Sequence, residues 1–166
     1  IYTVSVTVTD ALGNTNQINF TQTIHGVIST RARVHSSSLL IENNHVWNVN
    51  PDNQSVSVFN TENNTKLAEI KLDATPHSLA LAANGDIWVA HSVPAGISVI
   101  NAATFTTQNT INLAENSQPY GIVFDQLNNR AFVTQRNTGQ VAAVDGNTQL
   151  VTKTVKVEGS IRHLSY

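Results

Sequence analysis

The stretch VWNVNPDNQSVSVFN, residues 46–60, decides the fold. It holds two short alternating runs, Val46–Asn50 and Ser55–Asn60, separated by the turn signal Pro51-Asp52-Asn53. Period-two alternation belongs to strands with one buried face. The chain then repeats the pattern. IWVAHSVPAGISVIN occupies 87–101 and AFVTQRNTGQVAAVDG occupies 131–146. Set in register on an aromatic residue, Trp47 and Trp88 lie 41 positions apart, and Trp88 and Phe132 lie 44 apart. A hydrophobe follows twelve positions later in each copy: Phe59, Ile100 and Val144.

Working outward, each copy supplies four short strands. In the first they fall near Ser37–Ile41, His45–Val49, Ser55–Asn60 and Lys66–Leu72. The second gives Ser78–Ala82, Asp86–His91, Gly96–Asn101 and Thr107–Leu113. The third gives Gly121–Phe124, Arg130–Gln135, Gln140–Asp145 and Leu150–Val157. Turn signals such as Ala83-Asn84-Gly85 and Asn137-Thr138-Gly139 separate them, and no segment has a 3.6-residue period. A repeat of roughly 40–45 residues built from short strands is the signature of a β-propeller blade. One blade cannot bury both of its faces and stacks on its neighbours around an axis. Ile161-Arg162-His163-Leu164-Ser165-Tyr166 restarts the pattern of Pro76–Leu81. The expected fold is therefore all-β: a partial β-propeller over residues 35–166, with three four-stranded blades and the start of a fourth. Propellers close with about 4–8 blades. The reading expects the remaining blades to come from the same, larger chain or from neighbouring subunits.

Residues 1–24 differ. Tyr2, Val4, Val6 and Val8 alternate with Thr3, Ser5, Thr7 and Thr9, and Ile18, Phe20 and Ile24 share a face of a second run. Asp10-Ala11-Leu12-Gly13-Asn14 reads as the turn between them. This is a β-hairpin. Residues 25–34, HGVISTRARV, read as a solvated linker, with Gly26 permitting a bend and Arg31 and Arg33 exposed.

Composition removes several classes. Of 166 residues, 40% are hydrophobic and 12% charged, and the net charge is −2. That profile is neither disordered nor basic, so no nucleic-acid partner is expected. Cysteine is absent, so disulfides and thiolate metal sites are impossible. No apolar run is long enough to span a membrane. No Gly-x-Ser-x-Gly elbow or phosphate loop occurs, and the carboxylates Asp52, Asp73, Asp86, Asp125 and Asp145 fall mostly in turns. No catalytic residue, metal or cofactor is assigned.

VWNVNPDNQSVSVFNTENNTKLAEIKLDATPHSLAL resembles the repeat of YVTN-type β-propellers, which occur in surface-layer and cell-surface proteins of bacteria and archaea. The match runs from about Val34 onward; Pro119-Tyr120 and the lack of a Pro before His35 depart from it. YTVSVTVTDALGNTNQINFTQTI resembles the closing hairpin of PKD-type and related Ig-like sandwiches. Together these resemblances imply a non-catalytic extracellular module, structural, adhesive or binding, that presents loops and a channel mouth to a protein or glycan. Related propellers include lyases and metal-bearing reductases, which makes an enzyme with a channel site the first alternative. A self-assembling filament or surface-layer subunit is the second.

The candidate site follows from the repeat. His35 lies twelve positions before Trp47, Tyr120 twelve before Phe132, and His77 eleven before Trp88; Arg162 takes the same place in the fourth copy. First strands line the channel, so His35, His77, Tyr120 and Arg162 are placed around one mouth, where they would bind an anion or a sugar. Only two of the four are good metal ligands. A structural role, with imidazole bonded to a backbone group, competes with ligand binding. His25, His45, His91 and His163 share no spacing and read as surface or turn residues.

Overall fold

The structure is a computed structural model that describes residues 2–22, 35–157 and 159–165. It contains strands and no helix among the described residues. The chain divides into two compact units, Ile1–Ala32 and Arg33–Tyr166.

In the first unit β1 (Tyr2–Thr9) pairs antiparallel with β2 (Thr15–Gln22), placing Val6 opposite Ile18. Asp10 builds the turn. Its Oδ1 accepts the Leu12 and Asn14 backbone N–H groups at 2.9 Å each, and Gly13 takes φ +83°. The second strand starts at Thr15, because pairing runs up to the Asp10 turn. Ile24 and the 25–34 connection lie outside the described residues. The buried face expected of this hairpin is open within the unit: Val6, Val8 and Ile18 are 46%, 65% and 65% exposed. A two-stranded sheet has no second layer of its own to cover it.

The second unit is built of three antiparallel four-stranded sheets, each in simple sequential order. Blade 1 comprises β3 (Leu39–Glu42), β4 (His45–Asn50), β5 (Ser55–Asn60) and β6 (Lys66–Lys71). Blade 2 comprises β7 (Pro76–Leu81), β8 (Ile87–His91), β9 (Gly96–Asn101) and β10 (Thr106–Asn112). Blade 3 comprises β11 (Pro119–Asp125), β12 (Arg130–Gln135), β13 (Gln140–Asp145) and β14 (Val151–Lys156). The chain is thus an all-β partial propeller, as the repeat required.

The core lies between blades. Trp47, Val49, Val56 and Val58 meet Leu79, Ile87, Val89 and Ile100 across the first seam. Trp88, Ala90, Ile97 and Val99 meet Ile122, Phe124, Val133 and Val144 across the second. Trp47 and Trp88 are fully buried, worth about 2–3 kcal/mol each. Trp88 stands edge-on to Phe124 at 5.3 Å, and Trp47 to Phe105 at 5.6 Å. Phe132, in the third equivalent place, is half-buried on an open face that also carries Val155 and Val157.

The turn between third and fourth strands is the same in every blade. Asn60, Asn101 and Asp145 each accept the N–H groups two and three residues on, at 2.8–3.2 Å. The residue four on is left-handed each time: Asn64 at φ 57°, Phe105 at 56° and Gln149 at 57°. On the channel side the blades are stitched together. Leu79 N–H donates to Ser37 O at 2.8 Å. Ser78 Oγ donates to Tyr120 O at 2.6 Å and accepts Ile122 N–H at 3.0 Å. Residues 161–165 lie between blades 3 and 1: Thr134 Oγ1 donates to Arg162 O at 2.9 Å, and Leu164 N–H donates to Ser36 Oγ at 3.0 Å.

Candidate functional site

Both channel-side strands that open with proline carry a bulge. The β7–β8 register shifts between Pro76 and Ser78, and the β11–β12 register between Pro119 and Ile122. A bulge leaves its extra residue unpaired and re-aims its side chain. His77 and Tyr120 are those residues. Their rings stack with centroids 4.6 Å apart and planes 20° from parallel. The ring of His163 stands edge-on to Tyr120 at 5.5 Å. The Arg136 guanidinium lies 5.4 Å from the Tyr120 centroid, a cation–π contact.

A shared position, one residue past the second strand of each blade, supports both rings. His77 Nε2 is 2.9 Å from Ser92 Oγ, and Arg136 Nη2 donates to Gln118 Oε1 at 3.0 Å. Ser92 and Arg136 each fall four residues after the aromatic residue of their blade. His163 Nδ1 lies 3.3 Å from Ser36 Oγ. Burial, and then the charge of Arg136 and the neighbouring His91, hold His77 below its usual pKa. His77 is therefore mostly neutral at pH 7, and Arg136 brings a positive charge to the cluster. An ion pair, Lys66–Glu69, lies in blade 1. No ion pair to Arg136 is found among the described residues.

Of the four residues expected at the mouth, the structure brings His77 and Tyr120 together. His35 forms an isolated backbone bridge with Ser165, and Arg162 takes part through its carbonyl oxygen. Among the described residues no hydrogen bond or ring contact joins either side chain to the stacked pair. Arg136 and His163 complete the cluster instead. His91, read as a surface or turn residue, is 1% exposed at the end of β8. Its Nδ1–H donates to Pro94 O at 2.6 Å. Opposite it is Gly96, where an added Cβ would come within 2.8 Å of the imidazole, so the missing side chain makes the room. His45 is half-buried, its ring edge-on to Phe105 at 5.5 Å.

Ser92 and His77 have the separation of a nucleophile and its base. The third partner that orients such a base is not found among the described residues, where no carboxylate is hydrogen-bonded to His77. The Ser92 backbone N–H is itself engaged by Thr75 O at 2.9 Å. Among the described residues no group of three or more His, Asp or Glu side chains is gathered for a metal. What the cluster offers is a cation with spare N–H donors beside a stacked aromatic surface. That arrangement suits a planar anionic group.

Sheets of this topology, joined in sequence around a channel, define a β-propeller. Solved propellers bear this out. The chain has a TM-score of 0.65 to hydrazine synthase of Kuenenia stuttgartiensis, at 14% identity over 70% of this chain and 34% of that one. It has 0.63 to virginiamycin B lyase of Staphylococcus aureus, at 11% identity over 93% of this chain and 49% of that one. It has 0.59 to the WD40 domain of Pan2 from Neurospora crassa, at 16% identity over 74% of this chain and 36% of that one. The chain therefore spans between a third and a half of these structures. The set contains enzymes and WD40 domains, and at these identities the likeness is one of fold. No protein-family model matches the chain. No curated protein matches it in sequence.

Proposed function

We propose that the chain is part of a non-catalytic binding module of a larger extracellular protein, and that its channel mouth takes an anionic group from a protein or glycan partner. In this reading residues 35–166 belong to a YVTN-type propeller, residues 25–34 are a linker, and residues 1–24 close a PKD- or Ig-like sandwich. The observation that carries it is the cluster of Tyr120, His77 and Arg136, aromatic and cationic, with no ion pair to Arg136 among the described residues. The open apolar face around Phe132 supports a neighbouring blade as the structural partner, from the same polypeptide or another subunit.

Titration of the full chain with a polyglucuronate oligosaccharide, a polyglutamate peptide and a neutral maltooligosaccharide tests the mouth. Binding of an anionic probe should weaken with salt and fall about tenfold or more in Arg136→Ala, the loss expected for a charge-assisted contact. Anion binding that Arg136→Ala leaves untouched, or a preference for the neutral probe that depends on Arg136, would contradict the proposal.

A further inference from the structure

The chain carries a motif that the reading above does not use. Asn-x-Ser/Thr is the acceptor pattern for N-linked oligosaccharides. It occurs at Asn19-Phe20-Thr21, Asn53-Gln54-Ser55 and Asn63-Asn64-Thr65. In an asparagine-rich chain the spelling alone selects none of them. Transfer needs an accessible side-chain NH₂ that the fold does not hold, and the structure separates the three on that ground. Asn19 lies within β2, paired with Ser5 of β1, and its Oδ1 accepts the Ser5 hydroxyl at 2.6 Å. Presenting it would open the ladder. Asn53 is held at both ends of its amide. Its Nδ2 donates to Ser55 Oγ at 3.2 Å and to Glu69 Oε1 at 3.0 Å, and its Oδ1 accepts Lys71 Nζ–H at 2.8 Å. Ser55, which supplies the hydroxyl of that copy, is fully buried and donates to Glu69.

Asn63 is different. It lies with Asn64 and Thr65 in the turn between β5 and β6, and all three are exposed. Its Oδ1 accepts the Thr65 N–H at 3.1 Å and the Thr65 hydroxyl at 2.7 Å. Its Nδ2 makes no hydrogen bond among the described residues. The turn does not need this side chain, because Asn60 closes it. In the equivalent turns of blades 2 and 3 the same place holds Thr104 and Thr148, whose hydroxyls fold back to Asn101 Oδ1 and Asp145 Oδ1 at 3.1 Å. Asn63 departs from that arrangement and pairs with Thr65 instead. A substituent on its Nδ2 would break no hydrogen bond of the fold. Each blade's third-to-fourth turn lies at the end opposite its second-to-third turn, and the latter end carries Ser92 and Arg136. A glycan on Asn63 therefore leaves the aromatic cluster clear.

We infer that Asn63 is the acceptor for an N-linked oligosaccharide, and that folding closes Asn19 and Asn53 to the same reaction. The inference rests on the extracellular placement proposed above, since such glycans belong to surface loops of secreted chains. The donor is an oligosaccharide carried on a polyprenyl diphosphate, and a transferase brings it to the turn. Asn63 Nδ2 attacks C1 of the first sugar. The N–C1 bond forms and the bond from C1 to the phosphate oxygen breaks. The lipid diphosphate leaves with the bonding pair, and the amide proton passes to a carboxylate of the transferase.

The test incubates the folded full chain with a single-subunit oligosaccharyltransferase and a polyprenyl diphosphate-linked oligosaccharide. Used sites are mapped by mass spectrometry after enzymatic release of the glycan in heavy-oxygen water. Peptides covering residues 14–24, 49–59 and 58–68 serve as unfolded controls. All three peptides should be accepted. The folded chain should be modified at Asn63 by about tenfold or more over Asn19 and Asn53, whose held amides must first be released. Asn63→Gln should leave the folded chain bare with its urea midpoint retained. The inference is overturned if the folded chain stays bare at Asn63 while the 58–68 peptide is used, if that peptide is refused, or if Asn19 or Asn53 is modified as readily in the folded chain. Refusal of the other two peptides would overturn the role of folding. Cell fractionation tests the placement separately: a cytoplasmic chain whose Asn63 accepts the glycan in vitro would refute the extracellular reading and retain the acceptor site.

Discussion

Phe105 is a bulky residue in a left-handed turn, and that conflict can be weighed. Its φ of 56° is shared with Asn64 and Gln149 at the equivalent turns, but only asparagine tolerates the region readily. A non-glycine residue there carries a cost of about 1–2 kcal/mol. The ring of Phe105 offsets it by meeting Trp47 at 5.6 Å and His45 at 5.5 Å. Truncating a fully buried Phe costs about 3–5 kcal/mol. Phe105 is half-buried, so about 2 kcal/mol is at stake, of which the edge contact with Trp47 supplies about 0.5–1.5 kcal/mol. Phe105→Ala loses the ring and keeps the strained backbone. Phe105→Gly loses the ring and relieves the strain. The expected order of stability is parent, then glycine, then alanine, with the last two about 1 kcal/mol apart. Urea unfolding of the full chain, followed by tryptophan fluorescence and far-UV circular dichroism, reads that order. An alanine variant at least as stable as the glycine variant would refute the argument, as would an alanine variant equal to the parent.

Two further outcomes are expected. Gly121→Ala places a Cβ 2.3 Å from Arg162 O and 3.1 Å from Ser36 Oγ, so residues 161–165 should leave their place between blades 3 and 1. Hydrogen exchange at Leu164 should then accelerate while the Trp88 core keeps its protection, and unchanged exchange at Leu164 would count against the contact. Burial holds His91 and His77 below the imidazole value of 6.5. The unfolded chain therefore takes up protons first as pH falls, and the stability present above that value should decline below it. The slope is at most about 1.4 kcal/mol per pH unit for each histidine. His91→Gln should flatten the urea midpoint against pH between 6.5 and acid values, and an unaltered slope would remove His91 from the account.

Strands were legible where one face is apolar. Period-two alternation located β4, β5, β8, β9, β12 and β13 because their residues alternate between two blade interfaces, and both Trp residues fell in the core for the same reason. The aromatic cluster was half legible. Repeat spacing found His77 and Tyr120, which sit at corresponding strand starts. It passed over Arg136, although the position four after each blade's aromatic residue holds Ser92 in blade 2 and Arg136 in blade 3, both against a mouth ring. It passed over His163 because Gly121 takes the corresponding place in blade 3 and carries no side chain to reveal the position. His91 was misplaced because spacing within one residue type ignores the cross-strand partner, and Gly96 opposite was the signal that an imidazole could be buried.

The two outer faces of the stack differ, and the difference bears on how blades join. Where blades 2 and 3 present Val89 and Val133 to the preceding blade, blade 1 has Asn48. Around it, Glu69 accepts from Ser55, Ser57 at 2.6 Å, Asn53 at 3.0 Å and Lys66. Lys66 first, then Ser55 and Ser57, hold the Glu69 carboxyl well below its usual range. The far face of blade 3 carries Phe132, Val141 and Val155 instead. Pressing one on the other would strip water from an ionised network and give it no polar partner, at a cost of several kcal/mol. Burial of Phe132 would return less than that, about 1.5–3 kcal/mol for a whole side chain. The faces are therefore poor partners for each other. A head-to-tail string of identical copies is the assembly this asymmetry opposes most, whereas a blade with an apolar leading face, of the kind blades 2 and 3 have, fits against Phe132. Glu69→Leu with Ser57→Val, which makes the face of blade 1 apolar, should convert the chain to concentration-dependent oligomers by light scattering. A variant with the same light scattering as the parent at every concentration would show that face polarity does not govern the joining.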